Sequence, residues 1–360
     1  MQIAFNGRFA AARKSGVQRV ARSLVNAFDQ HLDRLRTSDV AAEIVLPRGV
    51  EHGLTLRRIG LREVGWLDGA AWEQLELPLR SRNGNLVNLC NAAPLLKDSA
   101  ATMIHDAQIF LSPQSYSPQF VQWYRFSLPR IAERARRVLT VSKFSRRMLA
   151  EFGVSPEERT EVVYNGADHV LDTPAAIGFV EGLGLATGAY VVVFGNYQAH
   201  KNLRVVLDAF LSPALNEVKL VVVGDVDQRS VETTLAATWP SSAVLAGRTT
   251  DAELRALLEA AICLVFPSKT EGFGLPPLEA MTLGCPAVVA PTGALPEVCA
   301  DAALYADPEN PQAWADAISR LTYDSALRTE YSARGRLQAS RFTWRRSAEH
   351  LHSVLDSVAV

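Results

Sequence analysis

Short runs of apolar, often β-branched residues alternate with helical patterns along the whole chain of 360 residues, and this rhythm restarts near the middle. Such alternation is typical of α/β domains, in which crossover helices separate parallel strands. The runs in the second half are almost continuously apolar, as expected of strands buried on both faces of a sheet. The sequence therefore predicts two doubly wound, Rossmann-like α/β domains.

The predicted strands are Gln2–Phe5, Glu43–Leu46, Leu86–Leu89, Ala101–His105, Arg137–Val141, Glu161–Val163, Tyr190–Phe194, Lys219–Val223, Val244–Leu245, Cys263–Phe266 and Ala287–Ala290. The main predicted helices are Val17–Gln30, Phe144–Phe152, Asn202–Leu211, Asp251–Ala261 and Pro276–Leu283. Ser142 is expected to cap the second of these helices, and Thr250 with Glu253 the fourth. The stretch from Gly166 to Gly188, through which Asp, Pro and Gly are scattered, is expected to be the interdomain linker.

Charge is balanced over the whole chain but not within it. The 37 basic and 38 acidic residues give a net charge of −1, too neutral for a protein built to wrap nucleic acid. Residues 1–171 carry 23 basic and 17 acidic side chains, whereas the rest carries 14 and 21. The apolar runs fall short of the roughly 20 residues of a membrane span, and the start lacks the pattern of a secretion signal. With four cysteines in no paired spacing, we expect a cytoplasmic protein with reduced thiols.

The segment Phe266–Met281 carries the strongest chemical signal. A buried strand ends at Phe266, and a turn containing two glycines leads to a helix that begins with two prolines. Glycines let a backbone approach a ligand closely, and the free N–H groups at a helix start bind phosphate. Glu271 would lie at the turn, and Glu279, one helical turn further, could accept hydrogen bonds from a pair of neighbouring hydroxyls. Taken singly, each of these residues is more readily explained as a loop glycine or a surface charge.

This string resembles the E-x7-E element of family 4 glycosyltransferases, which have the GT-B fold. The resemblance extends over nearly the entire chain, through Gly16-Val17-Gln18-Arg19, Met103-Ile104-His105-Asp106, Tyr164-Asn165-Gly166-Ala167-Asp168, His200-Lys201-Asn202 and Leu295-Pro296-Glu297. It implies two Rossmann-like domains facing across a cleft: residues 1–171 on the acceptor side, and residues 172–343 binding a nucleotide sugar. A final helix, 344–360, is expected to cross back to the first domain.

The resemblance also implies roles for individual residues. His105 would touch the transferred sugar, Glu271 would contact the donor sugar near its anomeric centre, and Glu279 would hold the nucleotide ribose. The expected contacts to the donor diphosphate and nucleotide are made by Gly16, Asn196, Lys201, Gly272, Phe273, Gly274 and Leu275. Because Asn196 stands where the family often has an arginine, neutralisation of the diphosphate would rest more heavily on Lys201. From the residues alone, His105 could also be a core histidine and Gly16 a simple loop glycine.

The activity that the resemblance implies is retaining hexosyl transfer from a nucleotide sugar, without a cofactor and, since no DxD-type cluster is present, without a metal. The opening Asn6-Gly7-Arg8, together with His105-Asp106, most resembles the mannosyltransferase-like branch that builds bacterial surface polysaccharides. GDP-mannose is therefore the expected donor, with a UDP-hexose or dTDP-rhamnose as alternatives. The expected acceptor is a glycan or lipid-linked glycan. The arginines and aromatics between Arg125 and Arg147 suggest either peripheral contact with an anionic membrane or a solvated helix face.

Two other classes of protein share parts of this pattern. A glycosidase could use Glu271 and Glu279 as its acid and base, but it has no need of Lys201 or a phosphate-binding helix start. A non-catalytic sugar-nucleotide-binding protein would fit the replacement of the family's arginine by Asn196. A dinucleotide-dependent dehydrogenase is disfavoured, because no G-x-G-x-x-G follows a strand.

Overall fold

The chain divides into two compact units, each with its own parallel sheet. The computed structural model describes residues 1–12, 15–35, 39–81 and 85–358. The first unit comprises Met1–Pro113, Ser117–Gly166 and Thr343–Val360, and the second comprises Gln114–Tyr116 and Ala167–Phe342. The predicted boundary lay at residue 171; the units themselves divide after Gly166.

Among the described residues, seven strands form the sheet of the first unit: β1 Gln2–Asn6, β2 Ala41–Pro47, β3 Ile59–Val64, β4 Leu86–Asn88, β5 Ser99–Met103, β6 Ala135–Thr140 and β7 Thr160–Val162. Their order is β3-β2-β1-β4-β5-β6-β7, and neighbouring strands are parallel. The strand order reverses between β1 and β4, so ligands are expected near the carboxyl ends of these two strands.

The helices of this unit that precede residue 167 are α1 Arg8–Ala11, α2 Gly16–Leu35, α3 Gly69–Ala71, α4 Leu77–Arg80, α5 Gln108–Leu111, α6 Pro118–Arg134 and α7 Lys143–Glu151. A π-helical turn, Trp72–Glu76, joins α3 to α4. Ser142 caps α7 as predicted, because its hydroxyl accepts a hydrogen bond from the Ser145 amide at 2.9 Å.

The second unit contains β8 Tyr190–Phe194, β9 Lys219–Val223, β10 Ala243–Gly247, β11 Cys263–Phe266, β12 Ala287–Val289 and β13 Leu304–Tyr305. These strands are parallel in the order β10-β9-β8-β11-β12-β13. Successive residues of β8 alternate between two apolar cores, because Val191 and Val193 pack on one face of the sheet and Tyr190 and Val192 on the other. Burial on both faces explains the continuous apolar runs of this half.

The helices of the second unit are α8 Ile177–Gly182, α9 Leu203–Ala209, α10 Gln228–Thr234, α11 Asp251–Ala260, α12 Leu275–Leu283, α13 Leu295–Cys299, α14 Pro311–Tyr323 and α15 Ser325–Ala339. The predicted capping box of α11 is confirmed, with Thr250 and Glu253 bonded reciprocally. The expected linker is largely wrong: residues 167–188 belong to the second unit and include α8.

The last helix, α16 Trp344–Val358, belongs to the first unit and packs against α2. Nε2 of His31 lies 2.8 Å from Nδ1 of His352, and the His352 ring meets Phe28 edge-on. Residues 359 and 360 of the predicted helix lie outside the described residues.

The predicted fold class is confirmed, and each predicted strand matches an observed one to within two residues at either end. The sequence did not predict β3 and β13. The first is an edge strand in which three of six positions are exposed and two are charged, and the second has two residues. None of the described helices has the length and apolar character of a membrane-spanning segment.

Candidate functional site

The turn between β11 and α12 leads into a helix start that has no side-chain cap. Gly274 stands at the N-cap with φ +97°, a left-handed conformation that favours glycine, and no side chain caps the helix. Pro276 and Pro277 occupy the first turn of α12. Proline lacks a backbone N–H, and in the first turn this costs no helical hydrogen bond. The remaining N–H groups of this turn are therefore suited to bind an anion.

Lys201 and Glu271 meet beside this turn. Nζ of Lys201 donates to Oε1 of Glu271 at 2.7 Å, and their side chains are 27% and 12% exposed. Glu271 immediately precedes Gly272, so the contact brings together Lys201, Glu271 and the residues Gly272–Leu275. A cation, a carboxylate and a helix start without a side-chain cap thus lie at one end of the second sheet.

Asn202 fixes the segment that carries Lys201. It adopts a left-handed conformation (φ 54°, ψ 36°), and its side-chain amide donates to the carbonyls of Pro267 at 3.2 Å and Pro308 at 2.7 Å. The Lys269 amide donates to the His200 carbonyl at 2.7 Å. Three hydrogen bonds therefore tie the Lys201 segment to its surroundings, two of them to the loop that leads to Glu271.

A second loop supports Glu271 from the other side. Thr292 donates to the Ser268 carbonyl at 2.6 Å, and the Ala294 amide donates to the Glu271 carbonyl at 3.0 Å. Gly293, with φ +59°, lies so close that an added Cβ would be 2.6 Å from both N and O of Glu271. Sequence reasoning missed Gly293, whose role depends on a contact with a residue 22 positions away.

Glu279 lies in the second turn of α12, and it is buried. Its Oε1 is 3.1 Å from Nε2 of His169, which sits in the 3-10 turn Asp168–Leu171. Sequence reasoning gave no role to His169. The sequence marks it only by its place directly after the Tyr164–Asp168 motif.

Asn196 follows β8 and organises the next loop. Its Oδ1 accepts a hydrogen bond from the Gln198 amide at 2.7 Å. A cavity of about 520 Å³ lies beside it, lined by residues of the Gly195–Ala199 loop, by Asp225 and by Gln114 and Ser115. Asn196 therefore lines an open volume at the end of the sheet, as a ligand-contacting residue must.

His105 lies in the first unit, just beyond β5, and its ring is anchored. Nε2 donates to the Leu89 carbonyl at 2.8 Å, so the proton of a neutral ring is on Nε2. The His105 amide donates to Oδ1 of Asn91, a residue with φ +53°. Burial lowers the pKa of His105 to about 4, and the ring is therefore neutral near pH 7.

Gly16 begins α2 in the first unit, in open surroundings. No heavy atom lies within 4 Å of a Cβ built on it, so packing among the described residues does not explain the glycine. Sequence reasoning missed an ion pair in the same unit, between the partly exposed Arg8, which follows β1, and the buried Glu73 of the π-helical turn. Glu73 also accepts from the Asn6 side chain at 2.8 Å.

The lowered pKa values of two buried histidines, His105 and His200, make the stability of the protein depend on pH. Burial lowers the pKa of His105 to about 4, and burial with Lys201 nearby does the same for His200. Unfolded histidines titrate near 6.5, so between pH 6.5 and 4 the unfolded chain binds protons that the folded protein does not. Stability is therefore expected to fall as the pH decreases through this window, by about 2 kcal/mol at pH 5 for His105 alone.

Urea unfolding at pH 7 and pH 5 measures this effect. Replacing His105 and His200 with glutamine should reduce the loss of unfolding free energy between the two pH values, whatever the variant's stability at pH 7. An equal loss in both proteins would contradict the assignment of these two groups.

Comparison with known proteins identifies the family. Residues 14–171 match the family model described as glycosyltransferase family 4, and residues 182–338 match that of glycosyl transferases group 1. The chain is 33% identical to O-antigen chain mannosyltransferase B of Escherichia coli over 259 residues, which are 69% of this chain and 67% of that protein. The chain belongs to glycosyltransferase family 4.

A further relative and a solved structure agree with this assignment. The glycosyltransferase is 27% identical to O-antigen chain mannosyltransferase RfbU of Salmonella typhimurium over 78% of this chain and 76% of that protein. Its fold is similar to that of Anabaena HepE, solved in complex with UDP and glucose, with a TM-score of 0.71, 19% identity, and coverage of 99% of this chain and 100% of that one. The predicted GT-B character is thereby confirmed.

Within the second unit of this glycosyltransferase, the structure brings Lys201, Glu271 and the Gly272–Leu275 turn together. Gly16 and His105 belong to the first unit. Among the described residues, no group of three or more His, Cys, Asp or Glu side chains is arranged to hold a metal ion. The role of each residue in the reaction remains a prediction.

Proposed function

We propose that this glycosyltransferase transfers mannose from GDP-mannose, with retention of configuration, to a hydroxyl of a polysaccharide or lipid-linked oligosaccharide in bacterial surface-glycan synthesis. The observation that carries the proposal is the Lys201–Glu271 contact beside the uncapped start of α12. The names of the two O-antigen mannosyltransferase relatives support mannose and a surface polysaccharide. The UDP and glucose bound to HepE support a nucleotide-sugar donor.

The leaving diphosphate sets the main electrostatic requirement of the reaction. As the bond between the anomeric carbon and the phosphate oxygen breaks, negative charge grows on that oxygen. The Lys201 ammonium and the amides of Gly272–Leu275 would stabilise this charge, with the Gly16 and Asn196 loops making further donor contacts. Preorganised donors of this kind are the largest single contribution in many enzymes. The positive charge comes from the chain itself, and the proposed mechanism needs neither metal nor cofactor.

The sugar develops positive charge as the leaving group departs. We assign Glu271 to the donor sugar, where its carboxylate would stabilise an oxocarbenium-like centre, and His105 to the transferred sugar as a neutral hydrogen-bonding group. The acceptor oxygen attacks on the face that the diphosphate leaves, and its proton passes to the departing phosphate oxygen. The anomeric configuration is thus retained, and positioning accounts for much of the rate.

A thermal-shift panel with GDP, UDP and dTDP tests the donor. A ligand that binds the folded state raises the melting temperature by mass action, so the cognate nucleotide should give the largest shift. We expect GDP to lead. A larger shift with UDP or dTDP would indicate that the donor is a UDP-hexose or dTDP-rhamnose and not GDP-mannose. If no nucleotide shifted the melting temperature, the proposed function would be contradicted.

Product analysis then tests catalysis. With GDP-mannose and a glycan acceptor, we expect release of GDP and a new mannosyl linkage whose anomeric configuration, read by NMR, matches that of the donor. Nucleotide binding without turnover on any acceptor would indicate a sugar-nucleotide-binding protein. An inverted linkage would exclude the retaining mechanism.

We also propose that the first unit contacts the inner face of the plasma membrane, placing the enzyme on the cytoplasmic side. On α6, Phe120, Trp123 and Phe126 are 42%, 48% and 45% exposed at spacings of three residues. The Arg130 guanidinium lies 3.7 Å from the centre of the Phe126 ring. Aromatic and basic side chains on one helix suit the interface of an anionic bilayer.

Vesicle co-sedimentation tests the membrane proposal. Binding is expected to vesicles that contain phosphatidylglycerol and not to pure phosphatidylcholine, and to weaken as salt is raised. Replacing Trp123 and Phe126 with serine should reduce it. If the protein does not bind anionic vesicles at any salt concentration, this membrane contact is ruled out.

A further inference from the structure

His169 lies against the carboxylate of Glu279 in the second unit. The distance from its Nε2 to Oε1 of Glu279 is 3.1 Å, and the two side chains are 13% and 7% exposed. A carboxylate this buried is costly unless polar groups face it. The imidazole faces one of its two oxygens.

The turn that carries His169 is tied to the start of α12 through Phe342. The Ala167 amide donates to the Phe342 carbonyl at 3.3 Å, and the Phe342 ring meets the Phe273 ring edge-on at 5.9 Å. Phe273 belongs to the turn that leads into α12. The His169 turn and the candidate donor turn are therefore parts of one packed assembly, in which the imidazole has a fixed place beside Glu279.

We infer that His169 is a positioning residue, which holds Oε1 of Glu279 so that Oε2 is aimed at the hydroxyls of a ribonucleotide ribose. This inference rests on the proposed function, in which Glu279 binds the donor ribose. A carboxylate offers two oxygens, and a contact to one of them restricts rotation of the side chain. A side chain that is already oriented loses less conformational freedom on binding, which strengthens ribose recognition.

The ratio of affinities for ribo- and deoxyribonucleotides is the readout that isolates this role. An imidazole that only stabilised the fold would change the affinity for both ligands equally when removed. An imidazole that orients Glu279 controls the contact with the ribose hydroxyls. Its removal should therefore lower the affinity for the ribonucleotide more than the affinity for the deoxyribonucleotide. We therefore compare GDP with 2′-deoxy-GDP, and UDP with 2′-deoxy-UDP, by calorimetry on the full chain.

For the ribonucleotide that binds, the wild-type protein is expected to favour the ribo form by about tenfold, the size of one hydrogen bond to a charged group. His169→Leu should reduce this preference to about threefold or less, and Glu279→Ala should remove it. The double variant should show no further loss, because the imidazole acts through the carboxylate. His169→Gln, which keeps an N–H donor, should retain part of the preference. Leu171→Ala, a change at a half-exposed side chain of the same turn, should retain all of it.

Each outcome is decisive for one of the two claims. If no nucleoside diphosphate binds the wild-type protein, the proposed function fails. If a nucleoside diphosphate binds, two results would show that His169 is not a positioning residue. Either His169→Leu keeps the wild-type preference for the ribonucleotide, or the wild-type protein has no such preference. The proposed function stands in both cases. Steady-state kinetics give a second readout, since His169→Leu should raise KM for the nucleotide sugar and leave kcat nearly unchanged.

Discussion

Replacing Glu271 with glutamine is expected to lower kcat by about 10²- to 10³-fold, the usual cost of removing one preorganised electrostatic contact. Glutamine keeps the shape of the side chain and removes its charge. The developing positive charge on the donor sugar then has no carboxylate beside it. Because this contact strengthens only as the bond breaks, the loss should fall on kcat.

The same substitution has a different effect on donor binding. In the wild-type protein, Lys201 shares its charge with Glu271 across 2.7 Å. Without that carboxylate the ammonium is free to interact fully with a diphosphate, so KM for the nucleotide sugar should stay constant or fall. Glu279→Ala is expected to do the opposite and mainly weaken nucleotide binding.

Steady-state kinetics of the two variants check this division of roles. Glu309→Gln is a matched control, because Glu309 pairs with Lys269 at 2.5 Å on the surface, where both side chains are well exposed. Exposed pairs contribute little, and this variant should behave as the wild-type protein does. The assigned roles would be contradicted if Glu271→Gln and Glu279→Ala both lowered kcat and raised KM to the same extent.

Replacing Gly293 with alanine is expected to lower the free energy of unfolding by about 2–5 kcal/mol and to reduce kcat as well. Alanine at φ +59° carries the cost of a left-handed conformation, roughly 1–2 kcal/mol. The new methyl group would also overlap the backbone of Glu271, and overpacking of this kind typically costs about 1–3 kcal/mol. Relief of the overlap must move the Glu271 backbone, and with it the carboxylate.

Gly184→Ala separates the two contributions. Gly184 has φ +63°, nearly the same as Gly293, but no heavy atom lies within 4 Å of its added Cβ. Gly184→Ala should lower the free energy of unfolding by about 1–2 kcal/mol for conformation alone and keep full activity. Urea unfolding and kcat of both variants are the measurements. Similar losses in the two would mean that the contact with Glu271 has no consequence.

The strands that the sequence predicted are those whose positions are set by burial. β8 and β11 are buried on both faces, and a strand in that position must be apolar throughout. The edge strand β3 was not predicted because half of its positions are exposed and its three apolar residues do not form a continuous run. The segment 166–188 was misread as linker, since Gly and Pro indicate turns whether those turns lie between domains or within one.

The features of the candidate site also divide into those that the sequence predicted and those that it did not. The turn at Gly272–Leu275 and the charge of Lys201 are local properties, which a linear pattern of glycines, prolines and glutamates can carry. The support around Glu271 is not local. Gly293 acts through the backbone of a residue distant in sequence. In the first unit, the ion pair of Arg8 with Glu73 likewise joins residues 65 positions apart.

By itself, the sequence determined the alternation of strands and helices, the family, and a set of candidate site residues, because each of these depends on side-chain types at short spacings. The tertiary structure alone decided which side chains meet, including His169, which the sequence did not single out. The contacts of Lys201 with Glu271 and of His169 with Glu279 join positions 70 and 110 residues apart. Chain connectivity places no constraint on such distant pairs, and they come together through the order of the strands and the packing of the loops at their ends.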